Sequence, residues 1–444
     1  MHGWDARRVA QAAGAELVRD APGGPARAVI DSRAVGPDDL FVGLPGAHAD
    51  GGAFAGAALR AGAWGALVGP GWRSAVGDGA LFVADDPLLA LHALARAWRR
   101  ELGAAVIAVT GSVGKTSTKE LIAAMAGQTR RVAASRENFN TEIGLPLELL
   151  GAPADTEVLV LELAMRAAGQ IAELTAICEP DVGVVTNVGP VHLEQLESLE
   201  GIGRAKGELL VGLRDGATAV VPFGEPLLAD SLRDGLRVVT FGGARDADVA
   251  WLEAGSRARV EEEEVALEVP FSTGPQLTNA LAALAAVRAV DAAPTGPVSF
   301  TPHALRGRRI ELTRPAGAVV VNDCYNASPP SMRAALDELA LEVPAGRRVA
   351  VLGDMLELGP TSEALHREVG EAAAAGGVEL LVAVGPRAAA MLPGYGNAGE
   401  AIAVPDAAAA ASVARERVGP GDVVLIKASN GVGLWTVAEA LGDG

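Results

Sequence analysis

Thr110-Gly111-Ser112-Val113-Gly114-Lys115-Thr116 lies between an apolar run, Val106–Thr110, and a stretch, Lys115–Ala126, that sets Leu121, Ile122 and Met125 on one helical side. A strand that feeds a helix through two glycines is suited to phosphate. The glycines let the backbone curl so that N–H groups aim at phosphate oxygens, and the helix N-terminus adds a favourable partial charge. In that arrangement Lys115 is expected to reach the β- and γ-phosphates of a nucleotide, and Thr116 Oγ to bind Mg²⁺. The spacing is the short form, Gly-x-x-Gly-Lys-Thr, because Val109 stands where the longer motif begins with glycine. The expected nucleotide contacts here are Gly111, Ser112, Val113, Gly114, Lys115, Thr116 and Ser117.

Working outward, Val158–Leu161 and Val182–Val185 are two more apolar runs that alternate with helical patterns. Such alternation predicts a mostly parallel sheet covered by helices. Ligands of open parallel sheets bind beyond the carboxyl ends of the strands. Glu162 follows the first run, and Asn187 and His192 follow the second, so all three belong at the edge that carries the phosphate loop. A carboxylate and an imidazole there suit a metal shell completed by substrate oxygens. In Leu199–Leu213, residues Leu199, Ile202, Lys206, Leu209 and Leu213 share one helical face. A lysine in that stripe is costly unless it snorkels, pairs or changes its chemistry. Burial favours the neutral amine, which reacts with CO₂ to give a carbamate, a metal-binding anion. A lysine bound to phosphate or to a carboxylate is the other reading, and the sequence leaves both open.

The first hundred residues end in a helix: Asp86-Pro87 supplies the cap and first-turn proline, and Leu91, Leu94 and Trp98 form its apolar face. Residues 217–271 read as short extended segments, a small antiparallel subsheet. A second set of βα units starts at Ala318–Val321 and continues through Val349–Leu352, Leu380–Val384 and Val423–Ile426. The hinge before it is expected over Gly307–Pro315. The expected fold is therefore α/β with three domains: residues 1–100, a central P-loop-type parallel-sheet domain at 101–307, and a Rossmann-like domain at 308–444. In the last, Asn322-Asp323-Cys324-Tyr325-Asn326 follows a strand. Asp323 suits ribose hydroxyls and Asn326 an amide or carboxylate, with a plain turn as the equal alternative.

A chain of 444 residues with a net charge of −18 does not carry the basic face of a general nucleic-acid binder. No apolar run is long enough for a membrane span, and the start lacks the pattern of a signal peptide. Two cysteines, Cys178 and Cys324, form no disulfide framework, so a cytoplasmic location is the expectation. The acidic run Glu261–Glu264 reads as a solvated turn or edge.

Taken together these residues resemble the Mur ligase family of cell-wall enzymes. The resemblance rests on Asp31-Ser32-Arg33, Asp39–Leu44, the phosphate loop, Asn138–Pro146, Glu162-Leu163-Ala164-Met165-Arg166, Asn187–His192, Arg204-Ala205-Lys206-Gly207-Glu208 and Gly307-Arg308. Tyr325–Pro329, Gly353-Asp354-Met355-Leu356-Glu357-Leu358-Gly359 and Lys427-Ala428-Ser429 are similar to the member that adds D-alanyl-D-alanine. The chain departs from the family pattern at Thr141, Gln276, Asn322 and Asn430. The resemblance implies ATP-dependent ligation of D-alanyl-D-alanine to UDP-N-acetylmuramoyl-tripeptide, through an acyl phosphate, by a monomer. It also implies roles by position. Lys115, His192 and Lys206 would be catalytic. Thr116, Glu162, His192 and a carbamoylated Lys206 would hold Mg²⁺. Asn279, Arg308, Asp323 and Tyr325 would contact ATP, and Ser32, Arg33, Asn140, Thr141, Asn326 and Lys427 the other substrates. The rival is a sister ligase that adds a diamino acid to the UDP-dipeptide; its usual Asp-Asn-Pro-Arg motif is absent from the sequence. A folylpolyglutamate-synthase-like ligase, a non-catalytic scaffold and a small-molecule kinase are more distant alternatives.

Overall fold

The computed structural model of the chain describes residues 1, 3–136, 139–270, 274–298 and 308–442, without the side chains at 308 and 309. It is built on three α/β sheets. The first has five strands in the order Glu16–Arg19, Ala80–Val83, Gly65–Val68, Asp39–Val42, Arg27–Val29, parallel except for the first.

The second sheet has nine strands. From Val132–Ala134 the order is Val158–Glu162, Ala105–Thr110, Val182–Val185, Thr218–Pro222, Arg237–Phe241 and Val249–Glu253, all parallel. Arg257–Val260 and Glu263–Ala266 then close the far edge antiparallel. This corrects the expectation of a separate antiparallel subsheet over residues 217–271. Ala219, Val220 and Val221 are all buried, as are Val239 and Phe241. Strands covered on both faces extend a parallel sheet rather than fold back as a half-exposed hairpin. Only the charged tail of the segment turns antiparallel, with Glu261 at a left-handed turn and Glu263 on the edge strand. Charge on an edge strand discourages pairing with another chain.

The third sheet has the order Arg308–Glu311, Val319–Asn322, Val423–Lys427, Arg348–Gly353, Leu380–Val384, Glu400–Val404, parallel apart from Arg308–Glu311. The expected junction at 307 and the start of the expected hinge, Gly307, lie outside the described residues, as does Asn138. Among the described residues no helix is long and apolar enough to cross a membrane.

The helix Pro87–Leu102 ties the first two sheets together. Asp86 Oδ1 accepts from Leu88 N at 2.8 Å and Leu89 N at 3.1 Å, and Leu91, Leu94 and Trp98 are buried as the periodicity predicts. Near its other end Arg99, also buried, donates to the carbonyls of Cys178 (3.0 Å) and Glu179 (2.8 Å) and to Asp181 Oδ2 (3.0 Å). One continuous apolar core consequently runs from Trp4 and Phe82 through this helix to Leu145, Leu161 and Ile171. Asp86→Ala removes both cap bonds and should cost about 1 kcal/mol of stability in urea unfolding. An unchanged midpoint would mean that tertiary packing alone fixes the helix start.

Candidate active site

The phosphate loop has the backbone its glycines permit. Gly111 has φ 153° and Gly114 φ 80°. A Cβ on Gly111 would fall 1.8 Å from Thr186 Oγ1, and one on Gly114 2.7 Å from Asn279 Oδ1. The loop after Val182–Val185 braces it. Asn187 accepts from Val113 N through Oδ1 (3.0 Å) and donates to Val113 O through Nδ2 (2.9 Å). Thr186 Oγ1 donates to Val113 O at 2.6 Å, and Ser112 Oγ donates to Gly189 O at 2.9 Å. Asn187 is thus a brace of the loop. Gly111→Ala drives a methyl into Thr186 and should cost about 1–3 kcal/mol in urea unfolding, with loss of nucleotide binding by calorimetry. Intact binding in that variant would show that the loop tolerates a shift.

Lys115 lies across the loop, with Nζ donating to Gly111 O at 2.9 Å. Burial lowers its pKa, and the charge of Glu162 opposes that shift. Glu162 ends its strand with its own N–H held by Ser135 Oγ at 3.0 Å. One carboxylate oxygen accepts from Thr116 Oγ1 at 2.8 Å and the other from Asn140 Nδ2 at 3.0 Å. Lys119, one turn after Lys115, is buried and donates to Ser135 O at 2.7 Å, so it supports the same strand end.

Lys206 is 2% exposed, and among the described residues it has no hydrogen-bond or ion-pair partner. Desolvation pushes its pKa well down, and the positive charge of Lys115 adds to the shift. The apolar stripe around it is narrower than the periodicity suggests. Ile202 and Leu209 are buried with it on the helix Leu199–Val211, whereas Leu199 is exposed at the first turn and Leu213 is buried beyond the helix end. His192, in a left-handed conformation at φ 53°, puts Nδ1 2.5 Å from Glu357 Oε2 of the third sheet's unit. Burial lowers the His192 pKa, Glu357 raises it, and the charges of Lys206 and Lys115 lower it again. The four expected chemical groups therefore share one electrostatic neighbourhood. Among the described residues no three His, Cys, Asp or Glu side chains cluster as a metal site. A divalent ion here would need hydroxyl and substrate oxygens beside Glu162 and His192, as the oxygen-rich coordination of Mg²⁺ allows.

The third sheet brings its turn to this edge. Pro330 Cγ lies 3.3 Å from where a Cβ on Gly189 would stand, with Ser112 Cβ at 3.7 Å from the same point. Lys427, 3% exposed, donates to Asp323 Oδ2 at 2.6 Å and to Asn326 O at 2.8 Å, so it sits behind the turn and holds it. Tyr325 is exposed. Asn279 is buried beside Gly114, and Thr141 Oγ1 caps Gly144 N at 3.3 Å. Ser32 and Arg33 belong to the first unit, where Arg33 forks onto Asp31 at 2.9 and 2.8 Å and holds that carboxyl at a pKa of about 2. The side chain of Arg308 lies outside the described residues. Reading the sequence gave no role to Glu357, Ser135 or Lys119. The available signals were the second lysine at four-residue spacing from Lys115 and, for Glu357, its place in the Gly353–Gly359 motif.

Comparison with known proteins follows the same outline. Residues 109–287 match the Mur ligase middle domain, and residues 308–430 match the Mur ligase, glutamate ligase domain. The UDP-N-acetylmuramoyl-tripeptide–D-alanyl-D-alanine ligase of Bacillus subtilis (strain 168) is 34% identical over 419 residues, covering 93% of this chain and 92% of the relative. A crystal structure of MurF from Acinetobacter baumannii superposes with a TM-score of 0.84 at 26% identity, covering 99% of each chain. The MurF ligase of Thermotoga maritima in complex with ADP gives a TM-score of 0.76 at 31% identity, covering 94% of this chain and 97% of that one.

Proposed function

Since this chain belongs to the Mur ligase family, we propose that it joins D-alanyl-D-alanine to UDP-N-acetylmuramoyl-tripeptide with conversion of ATP to ADP and phosphate. Similarity along nearly the whole length to relatives named for that reaction selects the substrates. The observation that carries the chemistry is the pairing of Thr116 with Glu162 beside a glycine loop shaped for phosphate.

The tripeptide's terminal carboxylate attacks the γ-phosphate, ADP leaves, and an acyl phosphate results. The amine of the dipeptide then attacks that carbonyl, and phosphate leaves as the amide forms. Lys115 draws the β- and γ-phosphates into the loop and offsets the repulsion between two anions. Thr116, Glu162, His192 and a carbamoylated Lys206 would hold Mg²⁺, a set of oxygen and nitrogen donors that fits a hard cation. When bound, the ion supplies further charge neutralisation at the phosphates. Lys206 is suited to carbamoylation because its buried amine is held towards the neutral form that attacks CO₂.

Asn279, Arg308, Asp323 and Tyr325 are assigned to the nucleotide, with Asn326 towards the incoming dipeptide. Lys427 serves both by fixing Asp323 and Asn326 from behind. Asn140 and Thr141 belong to the tripeptide end, and Ser32 and Arg33 to the uridine nucleotide. The same reading places the reaction in the cytoplasm and treats the chain as a monomer.

The deciding measurement is phosphate release from ATP with UDP-N-acetylmuramoyl-tripeptide, with and without D-alanyl-D-alanine. Release that needs the dipeptide, with the pentapeptide product seen by mass spectrometry, supports the assignment. Turnover only with the UDP-dipeptide and a diamino acid would transfer the chain to the sister ligase.

A further inference from the structure

We propose that Glu357 is a positioning residue for His192, so that docking of the third sheet's unit decides which imidazole nitrogen faces the phosphate site. The inference rests on the reading of His192 as a metal ligand and gives a task to a motif, Gly353–Gly359, that the chemistry above does not use. Among the described residues two hydrogen bonds join the motif to the central unit. Glu357 Oε2 meets His192 Nδ1 at 2.5 Å, and Glu357 O accepts from Glu194 N at 3.1 Å. Both partners hold left-handed backbone, φ 53° at His192 and φ 63° at Glu357. Non-glycine residues occupy that region at a cost, which surrounding structure has to over-determine.

The loop that presents Glu357 is pinned from several sides. Met355 N donates to the buried His366 Nε2 at 3.0 Å, and Leu356 N donates to Ser429 Oγ at 3.0 Å. Ser429 N in turn donates to Asp354 O at 3.1 Å, while Asp354 Oδ1 accepts from the backbone of Arg387 (3.0 Å) and Ala388 (2.7 Å). Ser429 lies two residues past Lys427, which holds the Asp323–Asn326 turn. The carboxylate therefore arrives on a rigid arm attached to the segment that presents the nucleotide and dipeptide turn.

Consequences for the ring follow from donor and acceptor capacity. An ionised carboxylate only accepts, so Nδ1 carries the proton and Nε2 keeps its lone pair. A ligating imidazole is commonly oriented in this way by a carboxylate on its other nitrogen. Here that carboxylate comes from a different structural unit, so the ring is set only when the units meet.

The test uses the full chain labelled with ¹⁵N-histidine, as wild type, Glu357→Gln and Glu357→Ala, with His192→Gln to assign the resonances. Long-range ¹H–¹⁵N spectra of metal-free protein should show Nδ1–H at His192 in wild type and in Glu357→Gln, whose amide oxygen still accepts. Glu357→Ala should shift the population towards Nε2–H. Mn²⁺ binding in the presence of ADP, followed by electron paramagnetic resonance, should weaken roughly 10- to 100-fold in Glu357→Ala and be largely restored in Glu357→Gln. The half-saturating Mg²⁺ for turnover should rise in parallel, while kcat at saturating Mg²⁺ stays within a few-fold. An unchanged tautomer in Glu357→Ala, or a lost kcat with unchanged Mn²⁺ binding, would overturn the proposal. Absence of ligation by the wild type would instead sink the functional reading, and the spectra and Mn²⁺ binding would still decide on Glu357.

Discussion

Lys115→Met is expected to leave a folded protein whose ATP-dependent phosphate release is reduced roughly a thousandfold, the scale on which a preorganised electrostatic group acts. In this structure the half-buried amine lies on the carbonyl of Gly111 inside the loop. Its pKa is already lowered by burial, so the fold gains little from its charge. A methionine of similar reach fills the space without the charge, and the bracing of the loop by Asn187 and Thr186 does not pass through the lysine. The urea midpoint should therefore hold while phosphoryl transfer slows, since the charge that offsets the repulsion between the carboxylate and the γ-phosphate is gone. Single-turnover phosphate release measured alongside circular dichroism checks both halves. Sustained release by a folded variant would remove the loop from the nucleotide site.

Lys206→Met should move stability and activity in opposite directions. In CO₂-free buffer the wild-type lysine is a buried amine with no partner among the described residues, beside a second lysine charge. Replacing such a group with an apolar one of similar volume should stabilise the fold by about 1–3 kcal/mol. Phosphate release should nevertheless fall by roughly a thousandfold, the magnitude for losing one charge-stabilising group at the site. The pH dependence has a definite sign. A folded-state pKa held below the unfolded value means that the unfolded chain binds the proton more tightly between the two. Wild-type stability should then rise as pH climbs from the folded-state value towards the ordinary lysine value near 10.4, and the penalty is full below that interval. The methionine variant should lose this slope. Added bicarbonate should raise wild-type turnover and leave the variant unchanged. A destabilised variant would mean that the amine has a partner in solution.

Much of this site was legible because strand ends carry position as well as pattern. Thr110, Glu162 and Val185 end three adjacent parallel strands, so residues that follow such runs share an edge whatever their separation in sequence. Lys206 was legible as a charge in an apolar stripe, and burial of Ile202 and Leu209 beside it agrees. The limits of that reasoning show at Leu213, which lies beyond the helix end, and at Leu199, which the first turn leaves exposed. Residues 217–271 were misassigned for a related reason. Short apolar runs separated by turns look alike in parallel and antiparallel sheets until their two faces are known to be covered. Glu357 was illegible because its partner, His192, is 165 residues away and on another sheet. No local period reports a contact made only when two units dock, and none reports that Lys427 would be buried against Asp323 and the carbonyl of Asn326.

The helix Pro87–Leu102 carries one more consequence. Its apolar face merges the cores of the first and second sheets, whereas the cores around the third contain only residues from 310 onward. Mechanically the three-sheet protein is a two-part clamp: a broad anvil made of two sheets sharing one interior, and a single jaw. Among the described residues the jaw shares no core with the anvil, and the contacts at Gly189 and His192 mark where the two bodies meet.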